Sequence, residues 1–206
     1  VICTDKTGTL TEGRPAVLDI VDLEGQADDL LSWVAAIEAQ SEHPIAHAIL
    51  KYAKEKDVCI TEAQAFKAHI GGGVEGRVDG RFLQIGAAAF MMKNGLKTDV
   101  LNDQAKSVGQ AGQTPVFVAV DGQLRALIAL GDPIKKTTPD ALKSLKAAGV
   151  TIIMATGDAV ETAQAVAKDL KVEQVHAACL PEDKARLVKE LQDKGHLVAV
   201  AGDGVN

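Results

Sequence analysis

A short segment near the start of the chain has the residue types needed for phosphoryl chemistry. The segment Asp5 to Thr11 reads Asp-Lys-Thr-Gly-Thr-Leu-Thr and follows Val1 to Thr4, which are predicted to form a buried strand. A carboxylate at the end of a strand in an open α/β sheet can attack a phosphoryl group and form an aspartyl phosphate, which a later step hydrolyses. The alternative is a Gly- and Thr-rich turn that ends the strand, with Asp5 as a solvated carboxylate.

A second acidic residue could assist Asp5 if the phosphoryl group comes from ATP. Such a transfer requires a divalent cation that offsets the repulsion between the carboxylate and the phosphates, and a second acid to hold that cation. Asp203 lies in the segment Gly202 to Asn206, directly after the apolar run Leu197 to Val200, and is predicted to have this role. The alternative for Asp203 is a carboxylate in a glycine turn that binds no ligand.

Two further polar clusters are predicted to face the same sheet edge as Asp5. The run Thr156-Gly157-Asp158 directly follows the apolar segment Val150 to Met154, which places a hydroxyl group and a helix N-terminus there. Lys184 lies in the first turn of a helix predicted to begin at Pro181, where a cation is unfavourable unless an anion such as phosphate is near. Taken singly, Asp158 could be a plain helix cap and Lys184 a solvated charge. Taken together, the clusters favour one shared site.

These segments stand in the order found in the P-type ATPases, which the chain resembles over essentially its whole length. The resembling segments are Asp5 to Thr11, Thr156 to Asp158, Pro181 to Lys184 and Gly202 to Asn206. The resemblance implies an α/β fold. In that fold, a phosphorylation domain with a parallel sheet, like that of haloacid dehalogenases, is split by an inserted α+β nucleotide-binding domain with an antiparallel sheet.

The same resemblance assigns roles to individual residues. It implies that ATP phosphorylates Asp5 and that Mg²⁺ is held by Asp5, Asp203 and the carbonyl group of Thr7. Thr156 and Lys184 would hold the transferred phosphate. The other members of the implied catalytic set are Lys6, Thr7, Gly157, Asp158 and Asn206.

The inserted region resembles that of the heavy-metal-transporting branch of the family. Ser41-Glu42-His43-Pro44 is similar to the His-Pro signature of that branch, and Glu38 matches its adenine-side glutamate. Because His43 precedes a helix that begins at Pro44, the helix dipole disfavours the imidazolium and leaves a neutral ring. Glu38 could accept a hydrogen bond from the adenine amino group. The alternative for His43 is a helix-capping histidine, and the nucleotide-binding glycines of the branch correspond to Gly71, Gly73 and Gly86.

The segment Gly71 to Gly76 also matches the pattern G-x-G-x-x-G. A dinucleotide-binding fingerprint must follow a strand and open a helix, whereas this segment continues into a predicted hairpin from Arg77 to Ile85. Dinucleotide binding is therefore not expected, and close approach of the backbone to a nucleotide remains a reason for the glycines. The chain also has no G-x-x-x-x-G-K-[ST] loop, which excludes a P-loop mechanism.

Short apolar runs alternate with amphipathic helices outside the middle of the chain. Val1 to Thr4 and three further runs are predicted to be strands covered on both faces: Ala126 to Leu130, Val150 to Met154 and Leu197 to Val200. Three helices are predicted, from Thr138 to about Gly149, from Asp158 to about Leu170 and from Pro181 to about Gly195. Asp158 and Glu161 are predicted to form a capping box at the start of the second one. Repeated strand-helix-strand units predict a parallel sheet flanked by helices.

The middle of the chain has a different pattern, which indicates an inserted domain. Apolar residues at helical spacing predict two helices, around Leu30 to Ile37 and from Pro44 through Ile49. The turns Asp79-Gly80 and Asp121-Gly122 predict two hairpins, the first inside the insert and the second at its exit. The predicted phosphorylation domain comprises residues 1–18 and 123–206, and the predicted nucleotide-binding domain comprises residues 19–122.

The composition excludes several classes of protein. The 206-residue chain is 47% apolar, enough to bury a core, which excludes a disordered or fibrous protein. A net charge of −6 and 3% aromatic residues argue against nucleic acid as a partner. The longest apolar run, Ile85 to Met92, is too short to span a membrane, so the chain itself is expected to be soluble. Neither a disulfide framework nor a zinc site is indicated by the three widely separated cysteines, Cys3, Cys59 and Cys179.

Two other functional classes are open besides a pump fragment. A soluble haloacid-dehalogenase-type phosphatase usually has a second Asp two residues after the nucleophile, as the acid and base that speeds hydrolysis. Thr7 occupies that position here, which favours a longer-lived aspartyl phosphate and hence a pump. The third class is a nucleotide-binding module without chemistry of its own.

The resemblance also implies what lies outside the chain. Val1 opens within a strand pattern and Asn206 ends within a loop, so the chain is expected to be a soluble piece of an integral membrane pump, on the cytoplasmic side. Its implied partners are ATP and the transmembrane and actuator domains. The transported heavy-metal ion would bind outside this region. Copper(I) is the commonest expectation for the His-Pro branch, and silver, zinc, cadmium and lead remain open.

Overall fold

The chain folds into two units, and the computed structural model describes residues 1–25 and 27–204. The first unit comprises Val1–Arg14, Gln110–Gly112 and Asp132–Asn206, and the second comprises Pro15–Gly109 and Gln113–Gly131. The strands are β1 Ile2–Thr4, β2 Ala16–Asp22, β3 Gln64–His69, β4 Gly73–Val78, β5 Arg81–Gly86, β6 Thr114–Val120, β7 Gln123–Gly131, β8 Ile152–Ala155, β9 Gln174–His176 and β10 Ala199–Ala201. The α-helices are α1 Ala27–Glu38, α2 Pro44–Glu55, α3 Ala88–Lys93, α4 Asn102–Gln110, α5 Thr138–Ala147, α6 Val160–Asp169 and α7 Pro181–Asp193.

The first unit contains a parallel sheet with the strand order β10-β1-β8-β9. Cys3 of β1 pairs with Val200 of β10 on one side and with Ile153 of β8 on the other. The predicted parallel sheet is therefore confirmed. Because parallel strands end at the same edge, the residues that follow β1, β8, β9 and β10 lie along one edge of this sheet.

Apolar side chains between the helices and β8 form the core of the first unit. All four residues of β8 are buried, which explains why its sequence is apolar without alternation. Helix α6 packs into this core through Ala163 and Ala167, which are one turn apart and small enough for close approach. None of the described helices, in either unit, is both long and apolar enough to cross a membrane.

The second unit contains an antiparallel sheet with the strand order β2-β7-β6-β5-β4-β3. Helices α1 and α2 pack on one face, where Val34, Ile37 and Ile49 are buried. Helix α3 packs on the other face, where Phe90 and Met91 join a second core. The predicted α+β insert with an antiparallel sheet is confirmed.

The segment Ala126 to Leu130 belongs to this antiparallel sheet, so the prediction that it joins the parallel sheet was wrong. It forms most of β7, which pairs antiparallel with β2 and β6. All five residues are buried because helices cover both faces of the sheet. A strand covered in this way has the same continuous apolar sequence as a parallel strand, and composition does not separate the two.

The units change at positions that differ from the predicted domain boundaries. Apart from the short segment Gln110–Gly112, the first unit is interrupted between Arg14 and Asp132, whereas the sequence predicts breaks after residues 18 and 122. The difference arises because β2 and β7 pair with each other from Ala16↔Gly131 onward and so extend the second sheet at both ends.

Both predicted Asp-Gly hairpins are confirmed. Asp79 and Gly80 have φ of 51° and 79° and connect β4 to β5, and Asp121 and Gly122 have φ of 49° and 79° and connect β6 to β7. Two consecutive residues with positive φ are typical of a type I′ turn, whose twist matches that of the paired strands.

Candidate functional site

Asp5 is held at the end of β1 by the backbone of the following loop, Asp5–Thr11, here called the Asp5 loop. Lys6 N donates to Asp5 Oδ1 at 2.7 Å, and Asp5 N donates to the carbonyl group of Ala201 at 2.9 Å. Thr7 (φ −68°, ψ 127°) and Gly8 (φ 74°, ψ −15°) have the angles of a type II turn. The third position of that turn needs positive φ, which explains the glycine in the Asp-Lys-Thr-Gly-Thr string.

The second oxygen of Asp5 is paired with Lys184. Lys184 Nζ lies 2.9 Å from Asp5 Oδ2, and only 8% of the Asp5 side chain is exposed. Lys184 lies in the first turn of α7, where the positive end of the helix dipole opposes a cation. A cation at this position needs a nearby anion, and in this structure the carboxylate of Asp5 is that anion.

The Asp158 carboxylate interacts with two hydroxyl groups and one ammonium group, and it does not cap helix α6. Its Oδ2 accepts hydrogen bonds from Thr156 Oγ1 and, at 3.4 Å, from Thr7 Oγ1, and it lies 3.2 Å from Lys6 Nζ. The predicted capping box of Asp158 with Glu161 was wrong, because the N-cap residue of α6 is Ala159, which has no side-chain cap. Lys6 is buried, and the ionic partner it needs determines where the Asp158 carboxylate points.

A cavity of about 350 Å³ lies at this sheet edge and is here called the Asp5 cavity. The structure brings together in its lining most of the predicted catalytic residues: Asp5, Thr7, Thr156, Gly157, Asp158 and Lys184. Cys179 and Pro181 also line it, and sequence reasoning assigned neither to the site. Pro181 lies in a string that the sequence had singled out, whereas Cys179 has no sequence signal beyond its position just before that string.

Asp203 lies beside the Asp5 loop, as predicted. A Cβ atom built on Gly8 would lie 2.7 Å from Asp203 Oδ2. Two carboxylates and the Thr7 carbonyl group are oxygen donors, the type that Mg²⁺ prefers, so these residues fit the implied ion. No group of three or more His, Cys, Asp and Glu side chains in the described part of the chain could hold a metal ion, so the set depends on that carbonyl. Asn206 lies outside the described residues.

The segment Asp132–Thr138 holds the Asp5 loop in place by hydrogen bonds, and the sequence did not predict this role. Asp132 accepts from Thr11 Oγ1 at 2.5 Å and from Gly13 N at 2.8 Å, and Lys135 Nζ donates to the carbonyl group of Gly8. The charged groups of Asp132 and Lys135 therefore bind loop backbone and the loop hydroxyl. The available signal was an Asp-Pro pair directly after the apolar run that ends at Leu130.

A second cavity, of about 440 Å³, lies in the second unit and is here called the Glu38 cavity. All five predicted nucleotide-binding residues line it: Glu38, His43, Gly71, Gly73 and Gly86. The apolar part of its lining includes Ile45, Ile70, Val74, Ile85 and Val116. The structure therefore brings these five residues together in one cavity.

Glu38 and His43 are the polar side chains whose state matters most in the Glu38 cavity. Burial raises the pKa of Glu38 to about 7, and a hydrogen bond with the Ser41 side chain opposes this shift. His43 is the N-cap residue of α2, and its Nδ1 accepts from Ile45 N at 3.2 Å. His43 thus has the helix-capping role that was the alternative for this residue.

The glycines of the Glu38 cavity are required for two different reasons. Gly71 has φ of 69° and nothing near a built Cβ atom, so the turn conformation selects glycine there. A Cβ atom on Gly73 would lie 2.2 Å from the Ile85 carbonyl oxygen, and one on Gly86 would lie 2.5 Å from that of Gly72. At these two positions the close approach of neighbouring backbone selects glycine.

A family model of haloacid dehalogenase-like hydrolases matches residues 1–206. The match agrees with the parallel sheet and with the carboxylate at the end of β1. The chain belongs to the haloacid dehalogenase-like hydrolase family.

The chain is similar in sequence to P-type ATPases that export heavy-metal ions. A copper-exporting P-type ATPase of Legionella pneumophila is 46% identical over 205 residues, which cover 100% of this chain and 28% of that protein. A silver exporting P-type ATPase of Salmonella typhimurium is 44% identical over 206 residues, which cover 100% of this chain and 25% of that protein. The chain thus spans about a quarter of the length of these relatives.

Solved structures agree with the sequence relatives. A zinc-transporting PIB-type ATPase superposes with a TM-score of 0.88 and 34% identity over 98% of this chain and 33% of that chain. The catalytic domain of a CPx-ATPase superposes with a TM-score of 0.65 and 31% identity over 100% of this chain and 73% of that chain. The resemblance to the catalytic region of heavy-metal-transporting P-type ATPases is therefore confirmed.

Proposed function

We propose that the chain binds ATP in the Glu38 cavity and accepts its γ-phosphoryl group on Asp5, as the catalytic region of a copper(I)-exporting pump. The observation that carries this proposal is the state of Asp5, a buried carboxylate at a strand end with one oxygen held by a backbone amide and the other by Lys184. Two flanking donors, Thr156 and Lys6, are organised through Asp158.

In the proposed reaction, an Asp5 oxygen forms a bond to the γ-phosphorus of ATP while the bond to the leaving oxygen of ADP breaks. Lys184 transfers its hydrogen bond from the carboxylate to the phosphoryl group, and the Thr156 hydroxyl becomes a second donor when its proton turns from Asp158 to the phosphoryl group. Thr156 Oγ1 still accepts from Asp158 N at 3.2 Å, and the Asp158 carboxylate keeps Lys6 and the Thr7 hydroxyl in position. Bound Mg²⁺, held by Asp5, Asp203 and the Thr7 carbonyl group, would neutralise charge on the phosphates.

Thr7 distinguishes the pump from a soluble phosphatase. Its hydroxyl group donates to Asp158, and it has no carboxyl group with which to activate water for attack on the aspartyl phosphate. Slow hydrolysis of the intermediate suits a pump, which must change conformation before the phosphate leaves. Rapid turnover of small phosphate esters by this chain would instead identify it as a phosphatase.

The test is hydroxylamine-sensitive labelling by γ-labelled ATP. We expect low but measurable labelling of the parent chain, none in Asp5→Asn, and a reduction of at least about tenfold in Lys184→Met. Asp140→Asn, an exposed carboxylate in the first turn of α5, is the matched control and should label like the parent. Labelling that persists in Asp5→Asn would contradict the assignment of the nucleophile.

The transported ion, the transmembrane and actuator partners and the cytoplasmic location are part of the same proposal. Copper(I) is supported by the names of the relatives, which export copper or silver. The deciding measurement uses the full-length protein in membrane vesicles and compares ATP hydrolysis stimulated by copper(I), silver, zinc, cadmium and lead. Stimulation by zinc alone would replace copper as the cargo.

A further inference from the structure

The turn between β3 and β4 presents one apolar side chain at the rim of the Glu38 cavity. His69 to Gly72 form the turn, in which Gly72 N donates to the His69 carbonyl group at 3.0 Å and Gly71 has φ of 69°. This combination is typical of a type II turn with Ile70 in the second position. The Gly72 carbonyl group also accepts from Ala87 N at 3.2 Å, so the turn is attached to the start of α3.

Ile70 is the most exposed large apolar side chain among residues 1–25 and 27–204, with a relative exposure of 108%. A single exposed apolar residue is ordinary on a protein surface. Ile70 differs from the others because it lines the Glu38 cavity and lies in a turn whose backbone is held by two hydrogen bonds. The position of its backbone is therefore fixed, whereas its side chain is left exposed at the rim of the cavity.

The rest of the cavity defines what could cover Ile70. Ile45, Val74, Ile85 and Val116 supply apolar walls, and Glu38 supplies a carboxyl group. A purine has two flat apolar faces and a polar edge, so it can contact apolar walls with its faces and a carboxyl group with its edge. A triphosphate chain has no apolar surface to place against an isoleucine.

We infer that Ile70 is a nucleotide-binding residue that covers one face of the adenine ring at the rim of the Glu38 cavity. This inference rests on the proposed function, since it requires that ATP binds in this cavity. Ile70 contributes binding free energy because its apolar surface leaves water only in the complex. The same residue contributes nothing to the stability of the free protein, because its side chain is exposed with or without folding.

The test is calorimetric titration of ATP and ADP into the chain and three variants. Ile70→Ser should raise the Kd of both nucleotides by about fivefold, the effect of losing roughly half of the burial of an isoleucine. It should also make the heat-capacity change of binding less negative. Ile70→Leu should stay within about twofold of the parent, because the apolar area is kept. The midpoint of thermal unfolding without nucleotide should be the same in all of them.

Val100→Ser is the matched control, since Val100 is 68% exposed and does not line the cavity; its affinities should equal those of the parent. Unchanged affinity of Ile70→Ser, with a parent that binds ATP, would overturn the inference and leave the proposed function standing. A loss for ATP without a loss for ADP would also overturn it, because Ile70 would then act on the terminal phosphate. A folded parent that binds neither nucleotide would overturn the proposed function and the inference with it.

Discussion

Glu38 is an acid whose side chain is only 3% exposed at the C-terminal end of α1. Burial raises its pKa from 4.5 to about 7, so at neutral pH a large fraction of the side chain is protonated. A neutral carboxyl group can donate as well as accept, whereas the ionised form can only accept. The protonation state of Glu38 therefore determines which edge of a bound base it can recognise.

The raised pKa of Glu38 also makes stability depend on pH. The folded pKa lies above the unfolded value, so this contribution to stability is complete below about 4.5 and is lost as the pH rises through about 7. Relative to the parent, Glu38→Gln should gain about 3 kcal/mol of unfolding free energy between about pH 4 and about pH 8. Urea unfolding at the two pH values measures this. Glu62→Gln, at an exposed position, should show no such change. A pH-independent difference for Glu38→Gln would show that folding does not raise the pKa of Glu38.

Gly8 allows a prediction about the Asp5 loop. Gly8→Ala introduces a Cβ atom at φ of 74° and 2.7 Å from Asp203 Oδ2. It should lower the unfolding free energy by about 1–3 kcal/mol and abolish labelling of Asp5, because the turn and Asp203 must both shift. Gly109→Ala is the control, since Gly109 lies in helix α4 with nothing near its Cβ position; it should leave stability equal or slightly higher. Normal labelling of Gly8→Ala would mean that the turn is not needed.

At the scale of elements, helix α3 supports the turn that carries Ile70. A Cβ atom on Gly72 would lie 3.2 Å from Phe90 Cδ2, and its three nearest neighbours are all atoms of Phe90. A Cβ atom on Gly73 would lie 2.2 Å from the backbone oxygen of Ile85, 2.7 Å from Phe90 Cδ1 and 2.9 Å from Gly86 Cα. The ring of Phe90 thus limits Gly72, whereas both that ring and strand backbone limit Gly73.

This difference predicts a selective rescue. Gly72→Ala should destabilise the parent by about 1 kcal/mol and weaken ATP binding, and most of that effect should disappear in a Phe90→Leu background. Gly73→Ala should keep most of its damaging effect in the Phe90→Leu background, because the backbone atoms of Ile85 and Gly86 remain too close when the ring is removed. Urea unfolding and ATP titration of the three single variants and the two double variants measure both effects. Equal rescue of the two glycine variants would show that Phe90 acts only through general loosening.

Strands and turns were predictable from the sequence where an apolar run ended at a polar residue or at an Asp-Gly pair. The ends of β1, β8 and β10 follow from apolar runs that stop at Asp5, Thr156 and Asp203, and the hairpins follow from their Asp-Gly turns. The direction of β7 was not predictable, because burial on both faces produces one apolar run in either kind of sheet. Partners distant in sequence were also missed, since no local pattern shows that Asp158 pairs with Lys6.

At the scale of the whole molecule, the residues that line each candidate site could be grouped from the sequence, whereas the residues that support them are known only from the tertiary structure. Residue types and order are sufficient to group Asp5, Thr156 and Lys184, and to group Glu38 with His43. The supporting contacts of Asp132, Lys135 and Phe90 depend on tertiary structure, because ordinary charges and a lone aromatic residue carry no signal until their neighbours are known. Sequence therefore identified the side chains that line the two cavities better than the residues that hold them in place.

The pairing of Ala16 with Gly131 places both ends of the second unit side by side. In the first unit, Arg14 N donates to Asp132 Oδ1 at 3.3 Å, so its two interrupted ends are also adjacent. Adjacent ends are the condition under which one domain can be inserted into another, or cut out, without pulling either fold apart. Residues 15–131, which are the second unit together with Gln110–Gly112 of the first, should therefore fold as an excised fragment that binds ATP within about threefold of the whole chain. The remainder should close with a short glycine linker, so that this fragment can be exchanged for the matching fragment of a related chain.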